Sequence, residues 1–265
     1  MKFFGEKRIK AEAVGIVKDP APVRVREYPK KTPEENLLES REKTKEKPLI
    51  GGANKVVFIE LKDDGSGIFK PADGEQKHLR EGIPGGSYYL RERAAYLINR
   101  FLNFDLVPPT VIREIDGKVG SLQEFVADAK EGREMPQIWL EDKYRDDLKK
   151  MLIFDYIIWN VDRHDRNFLV KDAGILAIDN GLSFGNSDFE PFMRFYAEEI
   201  PDSIADNLKK FFGWEEGKAI LKDLLLELLE SGEVEACFSR MKHALKLLEG
   251  GRIPSNLNDF KFNPA

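Results

Sequence analysis

The sequence predicts an α+β chain of two unequal halves, a small strand-rich half with one helix and then a larger helical half. Three observations predict it. Short strand-like runs broken by Gly, Asp and Pro turns dominate to about residue 126. One apolar stripe at helical spacing interrupts them at 87–102, and from residue 143 apolar residues recur at helical spacing around a single short hairpin. Such a plan leaves a cleft between the halves, where ligand sites tend to lie.

The 265 residues are 42% apolar and 34% charged, with a formal net charge of −5, which fits a globular chain and excludes collagen-like or bulk-disordered sequence. The acidic balance argues against a nucleic-acid partner held by phosphate neutralisation. The single cysteine, Cys237, cannot close an internal disulfide, so a reducing, cytoplasmic setting is the expectation. Met151–Trp159, the richest apolar stretch, is too short to cross a bilayer, and the N-terminus lacks a signal-peptide pattern. Nothing in the sequence fixes the state of assembly.

In order, residues 8–28 alternate apolar and polar in two runs around Asp19-Pro20-Ala21-Pro22, which reads as a hairpin or edge strands. Pro29–Pro48 is dense in Lys, Arg and Glu with one apolar pair, Leu37-Leu38. It reads as a short solvated helix or a flexible linker that buries little, and sets a boundary near residue 48. The division expected is 1–48 as an N-terminal extension, 49–128 as the small half and 129–265 as the large one. Gly51-Gly52-Ala53-Asn54 forms a tight turn before a strand at 55–61. Asp63-Asp64-Gly65-Ser66-Gly67 turns the chain, and Ile68-Phe69-Lys70 returns as a strand that Pro71 stops. Leu90, Ala94, Leu97, Ile98 and Phe101 form the stripe of the helix at 87–102. A second hairpin spans 110–126 about Asp116-Gly117. Residues 143–160 are apolar nearly all round, as in a core helix. Two β-like runs, 167–170 and 175–178, join at Asp172-Ala173-Gly174. Amphipathic helices follow at 203–212, 215–230 and 233–248.

The densest polar cluster in apolar surroundings is Asn160-Val161-Asp162-Arg163-His164-Asp165-Arg166-Asn167, between the core helix and a strand, and Ile178-Asp179-Asn180-Gly181 ends the next strand. A helix, loop and hairpin of this length can bring Asp162, Asn167 and Asp179 to one edge. Two carboxylates and an amide supply hard oxygen ligands for Mg²⁺ and one carboxylate to orient a hydroxyl. Phosphoryl transfer needs that set, a lysine for the nucleotide phosphates and a backbone-rich turn above them; Lys70 and Gly51-Gly52 provide both.

Five blocks carry a resemblance: Gly67-Ile68-Phe69-Lys70-Pro71, Arg91-Glu92-Arg93-Ala94-Ala95-Tyr96, Leu106-Val107-Pro108-Pro109-Thr110, Asp162-Arg163-His164-Asp165-Arg166-Asn167 and Ile178-Asp179-Asn180-Gly181-Leu182-Ser183-Phe184. Over roughly residues 49–185 and in this order they resemble the phosphatidylinositol 3-/4-kinase-like superfamily, atypical kinases, in its branch near type II phosphatidylinositol 4-kinases, actin-fragmin kinase and bacterial and archaeal relatives. The resemblance implies a bilobal protein-kinase-like fold, with a strand-rich N-lobe and a helical C-lobe, and a kinase using ATP with Mg²⁺ or Mn²⁺. It implies that Lys70 contacts the nucleotide phosphates, that Glu92 pairs with it, and that Asp162 is the catalytic aspartate. By the same resemblance Asn167 and Asp179 are the metal ligands, Gly51, Gly52 and Asn54 lie in the turn over the nucleotide, and Gln123-Glu124-Phe125-Val126 fall where a hinge holds adenine. Asp179-Asn180-Gly181 stands where eukaryotic protein kinases have Asp-Phe-Gly, and no Gly-x-Gly-x-x-Gly loop is present.

Several residues have plainer readings. Glu92 lies opposite the helix stripe, where a solvated glutamate is ordinary. His164 reads as a structural histidine of the loop, Asp155 as an anchor that hydrogen-bonds it, Cys237 as buried filler and Phe189, Phe192, Phe195 and Tyr196 as packing. Arg163 supports either the loop or the phosphates. The segment after Asp179, Gly185 to Phe195, carries one arginine and two acids, and Glu198-Glu199 continue it. Recognition of a phosphorylated inositide would favour several Lys or Arg there. The expected acceptor is therefore a protein Ser/Thr or a small hydroxyl metabolite, with a lipid disfavoured. The alternatives are a phosphatidylinositol kinase, transfer of AMP from the same cleft, and a pseudokinase that serves as a binding module.

Overall fold

In the computed structural model the described residues are 31–51, 53–77, 79–172, 174–185 and 198–253. The compact unit they belong to begins at Lys31. The hairpin expected in 8–28, Gly52, Ala173 and the segment 186–197 with its aromatic run lie outside the described residues.

The small lobe is a five-stranded antiparallel sheet with two helices. Helix α1 (Pro33–Ser40) precedes strands β1 (Lys43–Leu49), β2 (Val56–Leu61) and β3 (Ser66–Pro71); α2 (Tyr88–Phe101) and the hairpin β4 (Thr110–Ile115) and β5 (Lys118–Glu124) follow. The sheet order is β1-β2-β3-β5-β4. Alternate residues of β2 and β3 point inward, so Val57, Ile59, Leu61 and Phe69 join Val111, Ile115, Leu122 and Leu38 in one buried cluster. Lys70 belongs to the opposite face of β3, which its pairing with β2 and β5 fixes in register.

The boundary expected near residue 48 falls inside β1, which pairs with β2 along its length. The stretch 29–48 also buries more than its composition suggests. Leu38 enters the core, and Glu35, fully buried, receives Arg93 Nη1 at 2.7 Å and Arg100 Nη1 at 2.9 Å from α2. β1 escapes sequence reading because it is an edge strand exposed on both faces. Its Lys-Thr-Lys-Glu-Lys-Pro-Leu text shows no alternation and instead has the charges and proline that protect an edge from further pairing.

The larger lobe opens with the short strand β6 (Lys130–Glu131), which the sequence reading did not include, and two 3-10 turns. Helix α3 (Asp142–Ile158) is buried from Leu148 to Ile158 on most sides, as its composition predicts. β7 (Phe168–Lys171) and β8 (Gly174–Ala177) form a hairpin beside β6, and helices α4 (Asp202–Gly213), α5 (Glu215–Leu226) and α6 (Ser231–Leu248) complete the lobe. Gly132, just after β6, packs against the ring of buried Phe168: a Cβ there would stand 2.1 Å from a ring carbon. Among the described residues no helix is long and apolar enough to cross a membrane.

Candidate active site

The site grows from the end of α3. Trp159 caps the helix in the left-handed region (φ 55°), and the Asn160 amide donates back to the Asp155 carbonyl at 2.8 Å, so the chain leaves the core abruptly. Asn160 Oδ1 then accepts the Asp162 amide at 2.9 Å, an Asx turn that sets the loop. At the other end Asn167 Nδ2 donates to the Asp162 carbonyl at 2.9 Å, so Oδ1 is the oxygen donor that side chain has left to offer.

The β7–β8 hairpin brings the remaining carboxylate alongside. Phe168 pairs with Ala177, and the Ile178 amide donates to the Asn167 carbonyl at 3.1 Å, so Asn167 and Asp179 flank the open end of the hairpin. Asp179 adopts a left-handed conformation (φ 56°), a region that Asp tolerates better than most residues.

Arg163 locks the loop to both supports. Its guanidinium is buried against Asp155, with Nη2 2.9 Å from Oδ1, and also donates to Asn180 Oδ1 at 2.6 Å, to the Ile178 carbonyl at 2.7 Å and to the Asn167 carbonyl. The arginine is thus a loop support, and Asp155 is the anchor that the sequence reading expects. Burial pushes the Asp155 carboxyl up, and the Arg163 charge works against that push. His164 is half-exposed, and its Nδ1 accepts the Arg166 amide at 3.1 Å, which fits a structural role.

From the small lobe, Lys70 makes direct ion pairs with Glu92 and, at 2.9 Å, with Asp179 Oδ1. Glu92 is 2% exposed and also accepts the Asn180 amide at 3.0 Å. The helical wheel placed it on a solvated face; instead α2 is enclosed on nearly every side, and Glu92 points into the cleft. Burial opposes the Lys70 charge, yet Asp179 and Glu92 hold its ammonium above the usual lysine range. Lys70 in turn holds Asp179 below the usual carboxylate range. Asp162 moves the other way: burial, then the nearby Asp179 charge, push its carboxyl up. Two carboxylates driven apart by their surroundings suit one acting as a permanent anion and the other as a proton acceptor.

These groups line one cleft of about 570 Å³ together with Gly51, Asn54, Val56 and Leu182. Gly51 has φ 130°, a conformation open in practice only to glycine, and forms part of the cleft's roof between β1 and β2. The Asn54 side chain is spent within the lobe, accepting the Gln76 amide at 2.8 Å. The structure therefore gathers Gly51, Asn54, Lys70, Glu92, Asp162, Asn167 and Asp179, while Gly52 lies outside the described residues.

Gln123-Glu124-Phe125-Val126 are not among the residues lining that cleft. Gln123 lies opposite Thr110 on β4 and donates to its Oγ1 at 2.9 Å, while Phe125 packs edge-to-face on Phe58. Glu124, Phe125 and Val126 line a different cavity, beside α1 and α2, where burial and the Glu34 charge push Glu124 up. Sequence reading also missed Glu75. Its two carboxylate oxygens accept the amides of Gly86 (2.7 Å), Tyr88 (2.9 Å) and Tyr89 (2.8 Å), so it caps α2 in place of Ser87, whose own side chain makes no capping bond. Glu131, Arg133, His164 and Arg166 also line the cleft.

Among the described residues no cluster of three or more His, Cys, Asp or Glu could hold a metal by itself. The donors offered are the Asn167 amide oxygen and the Asp179 carboxylate. That set fits Mg²⁺ or Mn²⁺, which take hard oxygen ligands and complete their shell with phosphate and water.

The chain matches the phosphatidylinositol 3- and 4-kinase family model over residues 69–238, more than half of its length. It is 28% identical to Protein Rv2133c of Mycobacterium tuberculosis, in an alignment covering 43% of this chain and 52% of that protein, so it spans about half the length of this relative. In fold it is similar to the Golgi casein kinase with Mn/ADP bound (TM-score 0.55, 18% identity, 82% of this chain and 76% of that one). It is likewise similar to hydra Fam20 with sugar (TM-score 0.56, 18% identity, 82% of this chain and 88% of that one). A two-lobed kinase fold and a family match that runs from Lys70 past Asp179 agree with the cleft described above, and the chain belongs to the phosphatidylinositol 3- and 4-kinase family.

Proposed function

We propose that the cleft moves the γ-phosphate of ATP to a hydroxyl acceptor. One observation carries the reading: Lys70 of the small lobe is held between Glu92 and Asp179, so a cation fit for phosphate is fixed where the two lobes meet. Lys70 binds the nucleotide phosphates and Glu92 keeps its ammonium in place. Asp162, its carboxyl raised by burial and by the nearby Asp179 charge, orients the acceptor hydroxyl and takes up its proton. Asn167 Oδ1 and Asp179 would hold Mg²⁺ or Mn²⁺, which neutralises phosphate charge when bound. Arg163 fixes both the loop and the hairpin end, so that Asp162 meets the acceptor in one geometry. The division into lobes follows the hairpin end near residue 128, with Gly51, Gly52 and Asn54 over the nucleotide and Gln123–Val126 as the connecting segment.

The acceptor is a protein Ser/Thr or a small hydroxyl metabolite. Support comes from the acidic text of 185–202, which suits a neutral or basic acceptor better than a phosphorylated inositide. The likeness in fold to a chain named a casein kinase and solved with Mn/ADP is in keeping with a protein acceptor, a nucleotide and a divalent metal. The test is incubation with γ-labelled ATP and Mg²⁺, followed by fractionation into protein, lipid and small molecules. Label in protein or small molecules is expected. Label mainly in phosphatidylinositol of added vesicles overturns the acceptor class, label transferred only from α-labelled ATP identifies AMP transfer, and no transfer to any acceptor or water identifies a binding module.

A further inference from the structure

Helix α2 belongs to the small lobe, yet two neighbouring residues on it grip the large lobe just past Asp179. Residues 180–183 form a turn, closed by the Ser183 amide on the Asn180 carbonyl at 3.3 Å. Glu92 accepts the amide at the start of that turn, from Asn180, at 3.0 Å, and Arg91 Nε donates to the carbonyl at its end, on Ser183, at 3.1 Å. Arg80, in the chain before α2, adds a bond from Nη1 to the Leu182 carbonyl at 3.2 Å. The same Glu92 pairs with Lys70, and the residue before the turn is Asp179. The lysine and the carboxylate of the cleft are therefore set by how α2 sits on this turn.

Arg91 governs that seat, and its charge needs a partner. The residue is 3% exposed. Its Nη1 reaches Ser87 Oγ at 2.8 Å, at the start of α2, and this acceptor is uncharged, as is the Ser183 carbonyl. The countercharge comes from Glu233, in the first turn of α6, which forms an ion pair with Nη2. Glu233 is itself held in place, because its other oxygen accepts the Glu230 amide at 3.0 Å. A buried guanidinium left with neutral acceptors alone is costly, so without the Glu233 charge it shifts towards water and loosens α2 from the turn.

We propose that Glu233 is a positioning residue for phosphotransfer: acting through Arg91, it holds α2 on the 180–183 turn and so sets Glu92 and Lys70 for the nucleotide phosphates. The inference rests on the phosphotransfer reading above and extends it to α6, which among the described residues contributes nothing to the lining of the cleft.

The affinity of the full chain for adenylyl imidodiphosphate with Mg²⁺ is measured by isothermal calorimetry, beside Tm and amide hydrogen exchange, in the native protein, Glu233→Gln, Arg91→Lys and Ala244→Gly. Ala244 is fully buried, about three turns further along α6, so glycine there loosens the same helix without reaching Arg91. Glu233→Gln should bind about fivefold more weakly, the scale of one hydrogen bond, and exchange faster at the Asn180 amide. Arg91→Lys, which keeps the charge but loses the fork, should lose a similar factor, and it decides if circular dichroism shows that Glu233→Gln fails to fold. Ala244→Gly should lower Tm and bind as the native chain does. Native affinity and native Asn180 exchange in the folded Glu233→Gln and Arg91→Lys chains, or an equal loss of affinity in Ala244→Gly, overturns the proposal alone. A native chain that binds no analogue overturns the nucleotide reading and the proposal with it, so the two failures are distinct.

Discussion

Electrostatics sets Asp162 and Asp179 apart around Lys70. Lys70 keeps Asp179 ionised, while burial and Asp179 itself raise Asp162, so the two carboxylates differ although both are aspartates. The loop that carries Asp162 depends on the buried Asp155–Arg163 pair. Replacing Arg163 with Met leaves Asp155 buried without its countercharge, and a loss of about 3–5 kcal/mol at neutral pH is expected. The sign with pH follows from the direction of the shift. Asp155 is already raised by burial, and without Arg163 its folded value rises further above the unfolded one. The cost is then full at pH above the folded value and fades as the carboxyl takes up a proton. The gap in Tm between the native protein and the variant should narrow from about pH 8 to about pH 5; a gap that widens on acidification contradicts the assignment. Asp162, Asn167 and Asp179 were legible because they stand in one polar block and at one strand end. Glu92 was legible only through resemblance, since a helical wheel treats one face as solvent and α2 has no such face.

Elements are positioned by groups remote in sequence from them, and here sequence reading was weakest. Helices and hairpins with strong periodicity appear within a few residues of expectation, α2, α3 and β4–β5 among them. α1 reads as either a short helix or a linker, without the burial that two arginines of α2 give Glu35, and β1, an edge with no buried face, is not legible at all. Nor is the cap of α2. Glu75, just past β3, sits thirteen residues before Tyr88 and meets its amide only after the intervening loop has turned the chain back. Glu75→Gln should lower stability by about 1 kcal/mol in urea unfolding, the scale of one capping carboxylate, and should raise KM for ATP because α2 carries Glu92; unchanged stability would remove the capping role. The hinge expected at Gln123–Val126 rested on block order alone, and the cross-strand bond to Thr110 shows that the Gln123 side chain serves the sheet. Gly132→Ala forces a methyl into the Phe168 ring, and a loss of about 1–3 kcal/mol, read as a drop in Tm, is expected.

At the scale of the molecule, two lobes of different construction share one cleft, and the Lys70–Asp179 pair spans it. The small lobe supplies a cation and the turn at Gly51; the large lobe supplies carboxylates on a loop and hairpin that Arg163 ties together. The family match covers the chain from Phe69 through α5 and into α6 and so takes in residues of both lobes. The most direct test of that account compares Asp162→Asn with the native chain in two measurements, transfer of γ-phosphate and binding of a non-hydrolysable ATP analogue. Transfer should fall by about a hundredfold or more, the scale of a lost general base, while analogue binding persists. Transfer near the native rate in Asp162→Asn would contradict the assignment of the catalytic aspartate and, with it, the proposed phosphotransfer mechanism.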